Sequence, residues 1–397
     1  MPGRSSPSDA QAGYLDVFRS RWAFVSAATL LYWTGAHALR PLLPLRLDAL
    51  GASEVVIGAV VALFPLSSLG LAIPGGRLVD RVGVRRVLVG GLLGMALLGL
   101  GFAVAASTPV LALLTAGMGL AELASWISLQ ALASAGGTGG FLSRQLAVFS
   151  LAWGGGIAVG PIVGSALYER SGFLAVGTFY LLCGALAAIL VAFAPRIEAV
   201  SRGADPGSIR AGVATMWASA PVRVTLLSSF VALFVYGVRG SFLPLYLERA
   251  GLSVPRIGMV LSVMGVASLV VRIPLPAVQR RTGALPALFA SMWLALVPMT
   301  LVPFVDGFAA WLVLGTLTGL GLGINPPVTV ELMARHTDAT QRGLAMGLRL
   351  TANRVAQVVQ PVVFGGLVTV TGFPSAFAAA GTLLAAVTAW AHRVRPL

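Results

Sequence analysis

Glu122 stands midway along the apolar run 109–133, with Trp126 one helical turn further on. Holding an ionised carboxyl inside apolar surroundings costs about 2.5 kcal/mol or more, so a residue kept there usually serves a purpose. It can bind and release a proton, hold a cation, or pair with an arginine across a packed interface. His37 and Arg40 lie one turn apart near the end of the run 22–45, and Arg239 occupies the corresponding part of the run 222–247. Asn325 and Glu331 fall on the run 308–334, and Asn353 and Arg354 on the run 342–369, which also carries Gln357 and Gln360. Glu331 is close to the end of its run, where pairing with Arg335, Arg342 or Arg349 is the expected role. Arg40, Arg239 and Arg354 give this set more cations than anions, and a guanidinium forks carboxylate or phosphate well, so the set suits an anionic or zwitterionic ligand. Arg40 could instead snorkel to a polar rim, and His37 could titrate near neutrality or only hydrogen-bond. Tyr32, Trp33, Trp126 and Tyr236 could line a cavity for a flat solute, or pack and anchor. With three His and one Cys, a transition-metal site is not expected. No nucleophile–base pair or phosphate-cradling loop is visible, so neither an enzyme nor a resident cofactor is expected.

The elements that must hold these groups are membrane helices. Hydrophobic residues make up 57% of the chain and charged ones 10%, which excludes a water-soluble core and shell. A bilayer core about 30 Å thick takes roughly 20 apolar residues per helix. Twelve stretches qualify: 22–45, 55–75, 86–106, 109–133, 145–168, 173–194, 222–247, 255–277, 284–304, 308–334, 342–369 and 373–392. The fold class is therefore all-α, with residues 1–21 and 393–397 as tails, six helices in 22–194, a polar linker over 195–221, and six more in 222–392. The net charge of +14 comes entirely from arginine and could suggest a nucleic-acid partner. Those arginines sit in short loops, on alternate sides: Arg77, Arg81, Arg85, Arg86, Arg144, Arg272, Arg280, Arg281, Arg335, Arg342, the linker and both tails on one, only Arg46, Arg170, Arg249 and Arg256 on the other. By the positive-inside rule the expected partner is a lipid bilayer, in the plasma (inner) membrane, with both termini cytoplasmic.

The chain also repeats itself 200 positions apart. Pro44-Leu45, Leu47, Gly51, Ser53 and Ile57-Gly58 recur as Pro244-Leu245, Leu247, Gly251, Ser253 and Ile257-Gly258. Pro161 matches Pro361, Gly83 matches Gly283, and Gly172-Phe173 matches Gly372-Phe373. Parallel internal repeats in a helical membrane protein are the trace of many secondary transporters.

Between the second and third stretches lies Gly76-Arg77-Leu78-Val79-Asp80-Arg81-Val82-Gly83-Val84-Arg85-Arg86. Gly76 and Gly83 are expected to let a short turn pass neighbouring backbone, and Asp80 to pair with a cation or face a helix N-terminus. With twelve helices and the repeat, this loop makes the chain resemble the major facilitator superfamily from about residue 22 to 392, closest in pattern to its drug and small-molecule exporters. The resemblance implies that Gly76, Asp80, Arg81, Gly83, Arg85 and Arg86 form a cytoplasmic latch, one-sided because Arg280 stands where Asp80 does in the first copy. Gly156, Gly160, Pro161 and Gly164 resemble the Gly-Pro helix signature of the family's exporters, with Ser165 for the last Gly, which implies a gate on the fifth helix; ordinary small-residue packing is the alternative. Thr115 stands where those exporters often carry an arginine, so their proton coupling does not carry over intact. The expected function is a transporter that works by alternating access, a monomer exchanging protons for an exported small molecule. An importer or facilitator of an anionic metabolite is the second reading, and a transporter-like sensor or scaffold the third.

Overall fold

The computed structural model describes residues 22–69, 79, 81–135, 139–194, 217, 219–337 and 342–394, and among them it is helical without a strand. The tail 1–21, most of the linker 195–221, and Gly76 and Asp80 of the latch motif lie outside the described residues. In chain order the helices are α1 (Trp22–Leu39), α2 (Leu42–Ala49), α3 (Glu54–Leu69), α4 (Val84–Val104), α5 (Thr108–Ala133), α6 (Gly139–Phe193), α7 (Ala220–Gly240), α8 (Phe242–Arg249), α9 (Val254–Val270), α10 (Leu275–Thr282), α11 (Ala284–Leu301), α12 (Phe308–Arg335) and α13 (Arg342–Arg393).

Two of these are far too long for one crossing. At 1.5 Å per residue, the 55 residues of α6 and the 52 of α13 would each reach about 80 Å. Each is broken at a single glycine with positive φ, Gly172 at 68° and Gly372 at 78°, into arms 139–171 and 173–193, and 342–371 and 373–393. Counting the arms separately, and each of the pairs α1–α2, α7–α8 and α9–α10 as one divided helix, gives the twelve expected membrane helices. Proline sets the other breaks. Pro44 and Pro244 lack the N–H that would bond to residues 40 and 240, and the first helix of each repeat is accordingly divided into α1 and α2, and α7 and α8. The expected run 255–277 is likewise α9 and α10, bent by 59° near Pro274. The expected run 145–168 starts earlier than hydropathy alone suggested, at 139.

The backbone repeats as the sequence does. Among the described residues seven glycines have positive φ, and six of them are three pairs 200 apart: Gly51 and Gly251, Gly83 and Gly283, Gly172 and Gly372. After α2 and α8 the turn is the same Schellman closure, with Ala52 N–H donating to Leu47 O at 3.0 Å and Leu252 N–H to Leu247 O at 2.9 Å. Gly83 corrects the expected reason for its glycine. A Cβ there would meet nothing within 4 Å, so its φ of 95°, rather than close approach, is what requires the residue.

Contacts divide the chain into two compact units, residues 1–39 with 67–202, and residues 40–66 with 203–397. In the first unit, α6 packs on α1 and α4 along glycine faces. Gly156, Gly160 and Gly164 meet α1 at Trp33, His37 and Ala38 in the same order, so these helices run parallel. Gly177 and Gly184 of the second arm meet Ala103 and Ala96 of α4 in reverse order, so those run antiparallel. In the second unit, α7 packs on the first arm of α13 through Gly237 and Gln360, and α11 on the second arm through Thr300 and Gly381.

Candidate functional site

The first unit gathers aromatic rings from three helices around Trp126, one turn beyond Glu122. Trp33 of α1 meets Trp126 of α5 edge to face, with centroids 5.3 Å apart, and Trp153 of α6 lies 5.8 Å from Trp33 and 5.7 Å from Trp126. Phe149 stacks on Trp126 at 5.9 Å, Tyr32 stands edge-on to Trp33 at 5.5 Å, and His37 stacks on Trp33 at 5.1 Å. His37 also places Nδ1 3.1 Å from Trp33 O one turn back and is 4% exposed. Glu122 is 5% exposed, one turn before Trp126. The structure thus brings His37, Glu122 and Trp126 of the candidate set into one unit and links His37 to Trp126 through Trp33. Two members, Trp153 and Phe149, escaped the sequence reading. Trp153 is three, seven and eleven residues before Gly156, Gly160 and Gly164, the helical spacing of one face, and that periodicity was the available signal.

The face itself is closed against α1. A Cβ added at Gly156 would lie 2.5 Å from Trp33 Cβ, at Gly160 2.6 Å from His37 Cβ, and at Gly164 2.6 Å from the Ala38 carbonyl carbon. The stripe therefore fixes how closely Trp153 approaches Trp33, while Pro161 interrupts the hydrogen-bond ladder between its glycines.

Of the latch motif, Arg81 and Arg86 are exposed and Gly83 heads α4. Arg85 donates from Nη2 to the carbonyl of Ala192, so a cation caps the last turn of α6, where unpaired carbonyls and the helix dipole favour it. Arg280, in the second copy, is exposed in the last turn of α10, the same electrostatic position.

The candidates of the second unit have separate partners. Arg239 is 4% exposed, donates from Nη2 to Leu261 O at 2.7 Å and lies over the Tyr236 ring at 5.6 Å, tying α7 to α9. Asn325, 2% exposed, donates to Ser228 Oγ at 2.7 Å. Glu331 accepts from Gln279 Nε2 at 2.7 Å and pairs with Arg335 at 2.7 Å, one of its three expected partners. Arg354 donates to Gln357 Oε1 at 3.2 Å, and Asn353 keeps a buried Oδ1 without a hydrogen-bond partner among the described residues. Arg40 stacks over Phe64 at 4.3 Å.

An ion cluster that hydropathy treated as loop charge also belongs to the second unit. Arg249 at the end of α8 forks Asp48 of α2 at 2.6 Å and Glu54 of α3 at 2.7 Å, and lies over the Phe373 ring at 5.3 Å. Thr369 Oγ1 donates to Glu54 Oε2 at 3.5 Å. Beneath it, backbone meets backbone. A Cβ on Gly365 would lie 2.6 Å from Glu54 O, and one on Gly58 would run into Pro361 O. The bond from Arg249 holds Glu54 below the usual carboxylate range. Glu248 is pushed the other way, by burial first and then by the charge of Asp48. Asp48 and Glu248 are repeat equivalents, so the cluster sets two matched acids beside one unmatched arginine.

Known proteins agree with this architecture. The chain is 28% identical to the multidrug resistance protein MdtH of Aeromonas hydrophila and 26% identical to that of Aeromonas salmonicida, each over 353 residues and 82% of both chains. Among solved structures it superposes on a bacterial homologue of the human lysosomal transporter Spinster, inward-facing and occupied, with TM-score 0.77 over 94% of this chain and 96% of that one at 13% identity. It superposes on the nucleoside transporter NupG with TM-score 0.76 over 95% and 100% at 13% identity. The sequence profile of the Major Facilitator Superfamily matches residues 25–297 and 225–396. Two overlapping matches to one profile are what a duplicated six-helix unit produces, and with twelve helices and a 200-residue repeat they establish that the chain belongs to the Major Facilitator Superfamily.

Proposed function

We propose that this multi-pass membrane transporter exports small amphipathic molecules in exchange for protons, with Glu122 as the proton-carrying residue. The observation that carries the reading is the burial of Glu122 one turn from Trp126, in the unit where Trp33, Trp126 and Trp153 meet. Rings offer a flat, sequence-tolerant surface to an apolar solute, and the carboxyl can exchange a proton as its surroundings change exposure. His37, stacked on Trp33, is the second titratable group of the cluster. The relatives that bear the name multidrug resistance protein support export, and the arginine-rich loops support a cytoplasmic placement of both termini in the inner membrane.

Transport by alternating access requires each six-helix repeat, 22–194 and 222–392, to move as a body around the site. The Arg249 cluster supports such a movement at the arginine-poor end. It joins residues 48 and 54 of the first repeat to residues 249 and 369 of the second through exposed charges and glycine-smoothed backbone, contacts that can part without unpacking a core. The latch loop and the Gly156–Gly164 stripe would act at the opposite end and on the fifth helix.

The test is purified protein in proteoliposomes, with solutes screened for movement with and without an imposed pH gradient. Wild type should move solute only with the gradient, and Glu122→Gln should lose that dependence. Full gradient-driven transport by Glu122→Gln would refute Glu122 as the carrier, and accumulation of solute by cells that express the protein would refute export.

A further inference from the structure

We infer that Arg239, on α7, anchors an acidic group, a carboxylate or similar oxyanion, on the transported solute. The inference rests on the transport reading and adds a substrate class to it. Arg239 is 4% exposed, and among the described residues it is the one arginine that is buried. A guanidinium stays charged at any working pH, and withdrawing it from water without a counter-charge is costly. The acids described in the same unit are engaged elsewhere. Asp48 and Glu54 pair with Arg249, Glu248 stands beside Asp48, Glu331 pairs with Arg335, and Asp306 lies by Tyr246. What Arg239 does meet is uncharged: the Leu261 carbonyl at 2.7 Å, and Tyr236 one turn before it. These cannot take up all five N–H donors of a guanidinium, and a flat oxyanion accepts two of them side by side.

Packing does not require this charge. The repeat equivalents of Tyr236 and Arg239 are Ala36 and Leu39, both buried and apolar, so the first repeat keeps its framework without a polar group at either position. Nor does the tie from α7 to α9 need a cation. In the same unit Asn325 ties α12 to α7 with a neutral amide, donating to Ser228 O and Oγ. An amide at 239 would likewise bond to a carbonyl, at a far lower desolvation cost. A charge held at membrane depth where a neutral donor would serve the packing is the mark of a ligand contact. Tyr236 is half-buried, which puts the pair at the margin of the packed helices, where a solute can arrive. Its ring offers an apolar solute body a surface next to the charge.

The full chain, in nanodiscs of phosphatidylcholine alone, is titrated with 2-naphthoate and with its neutral counterpart 2-naphthamide by equilibrium dialysis, with empty nanodiscs as the blank. Wild type should bind naphthoate at least about tenfold more tightly than naphthamide, the size of one charge-assisted contact. Arg239→Gln keeps a donor for Leu261 O and removes only the charge, so it should bring naphthoate down to the naphthamide value and leave naphthamide unchanged. Arg239→Lys should retain part of the preference. Equal binding of the two probes, no binding of either, or a preference that survives Arg239→Gln would overturn the anchor, and the wild-type comparison stands whether or not the variants fold. Displacement of naphthoate by an equal concentration of chloride would assign Arg239 to an inorganic anion, and loss of naphthoate binding on adding phosphatidylglycerol would assign it to a lipid headgroup; either result overturns the inference. Binding is measured without a gradient, so a failure of proton-coupled export in proteoliposomes leaves this result standing, and the reverse.

Discussion

The two repeats keep one backbone and divide the chemistry between them. Where the first has Trp33, Trp126, Phe149 and Trp153, the second has Leu233, Pro326, Arg349 and Asn353; where the first has Glu122, the second has Leu322. The contact between the first and fifth helices of each repeat shows how the framework tolerates this. In the first repeat a bulky His37 faces Gly160, and in the second Gly237 faces a bulky Gln360. The large and the small partner have changed sides, and the volume at the crossing is conserved while neither residue is. Packing constrains the sum of sizes at a contact, and each repeat is free to choose which helix supplies the side chain.

Breaking that crossing should have the largest effect. Gly160→Gln alone sets two long side chains against each other, and its cost, at the upper end of the roughly 1–3 kcal/mol of overpacking, should remove most folded protein in detergent. Adding His37→Gly removes the side-chain clash but leaves the Thr34 carbonyl oxygen and the His37 carbonyl carbon 2.7 and 2.9 Å from the new Cβ, so folding, as read by size exclusion and thermal melting, should recover only in part. Gly366→Ala, where a Cβ meets nothing within 4 Å, should leave both unchanged. The next effect separates buried Glu122 from half-buried Glu331. Glu122→Gln should lower gradient-driven transport by at least about tenfold, whereas Glu331→Gln, whose partners Gln279 and Arg335 can still bond to an amide, should stay within about twofold of wild type.

A smaller effect tests the aromatic side of the comparison. Trp153→Asn places the residue of the second repeat in the first and removes two ring contacts. At about 0.5–1.5 kcal/mol for such pairs, the apparent KM for an aromatic solute should rise roughly two- to tenfold with the maximal rate little changed. The smallest effect concerns the Arg249 cluster, because exposed ion pairs are worth about 1 kcal/mol or less. Spin labels at Val56→Cys and Ala250→Cys, on a Cys183→Ser background, report whether residues 48–56 stay with residue 249. Glu54 is held below the usual carboxylate range by its bond from Arg249, so its contribution is complete at neutral pH and fades only as pH falls through that lowered value. Glu248 is raised, so the clasped form gains as pH falls through its raised value and the glutamate takes up a proton. The short-distance population should therefore rise from neutral to mild acid and fall in strong acid, and Glu248→Gln should abolish the rise alone.

The framework was legible because helices in lipid announce themselves by length, and because glycines and prolines that set the breaks stay in register 200 residues apart. Hydropathy could not place the break after Arg40, since Pro44 acts on the hydrogen-bond ladder rather than on polarity. The site was legible by residue and not by partner. Glu122, His37 and Trp126 stand out as polar or aromatic groups in apolar runs, whereas Trp153 reads as one more hydrophobe until the glycine face beside it is seen to pack on Trp33. Arg249 was hidden for the opposite reason. A charge in a short loop is expected for topology alone, and only the fold brings Asp48 and Glu54, some 200 residues away in the chain, within reach of its guanidinium.

The single-residue breaks in α6 and α13 bear on how the protein enters a membrane. With only Gly172 between the arms 139–171 and 173–193, there is no slack for one to be integrated while the other waits outside. Each pair of arms must pass from the ribosome into lipid as a preformed hairpin, and the same holds at Gly372. A reporter or epitope inserted at either glycine should therefore disturb biogenesis, while the same insertion in the polar linker is tolerated.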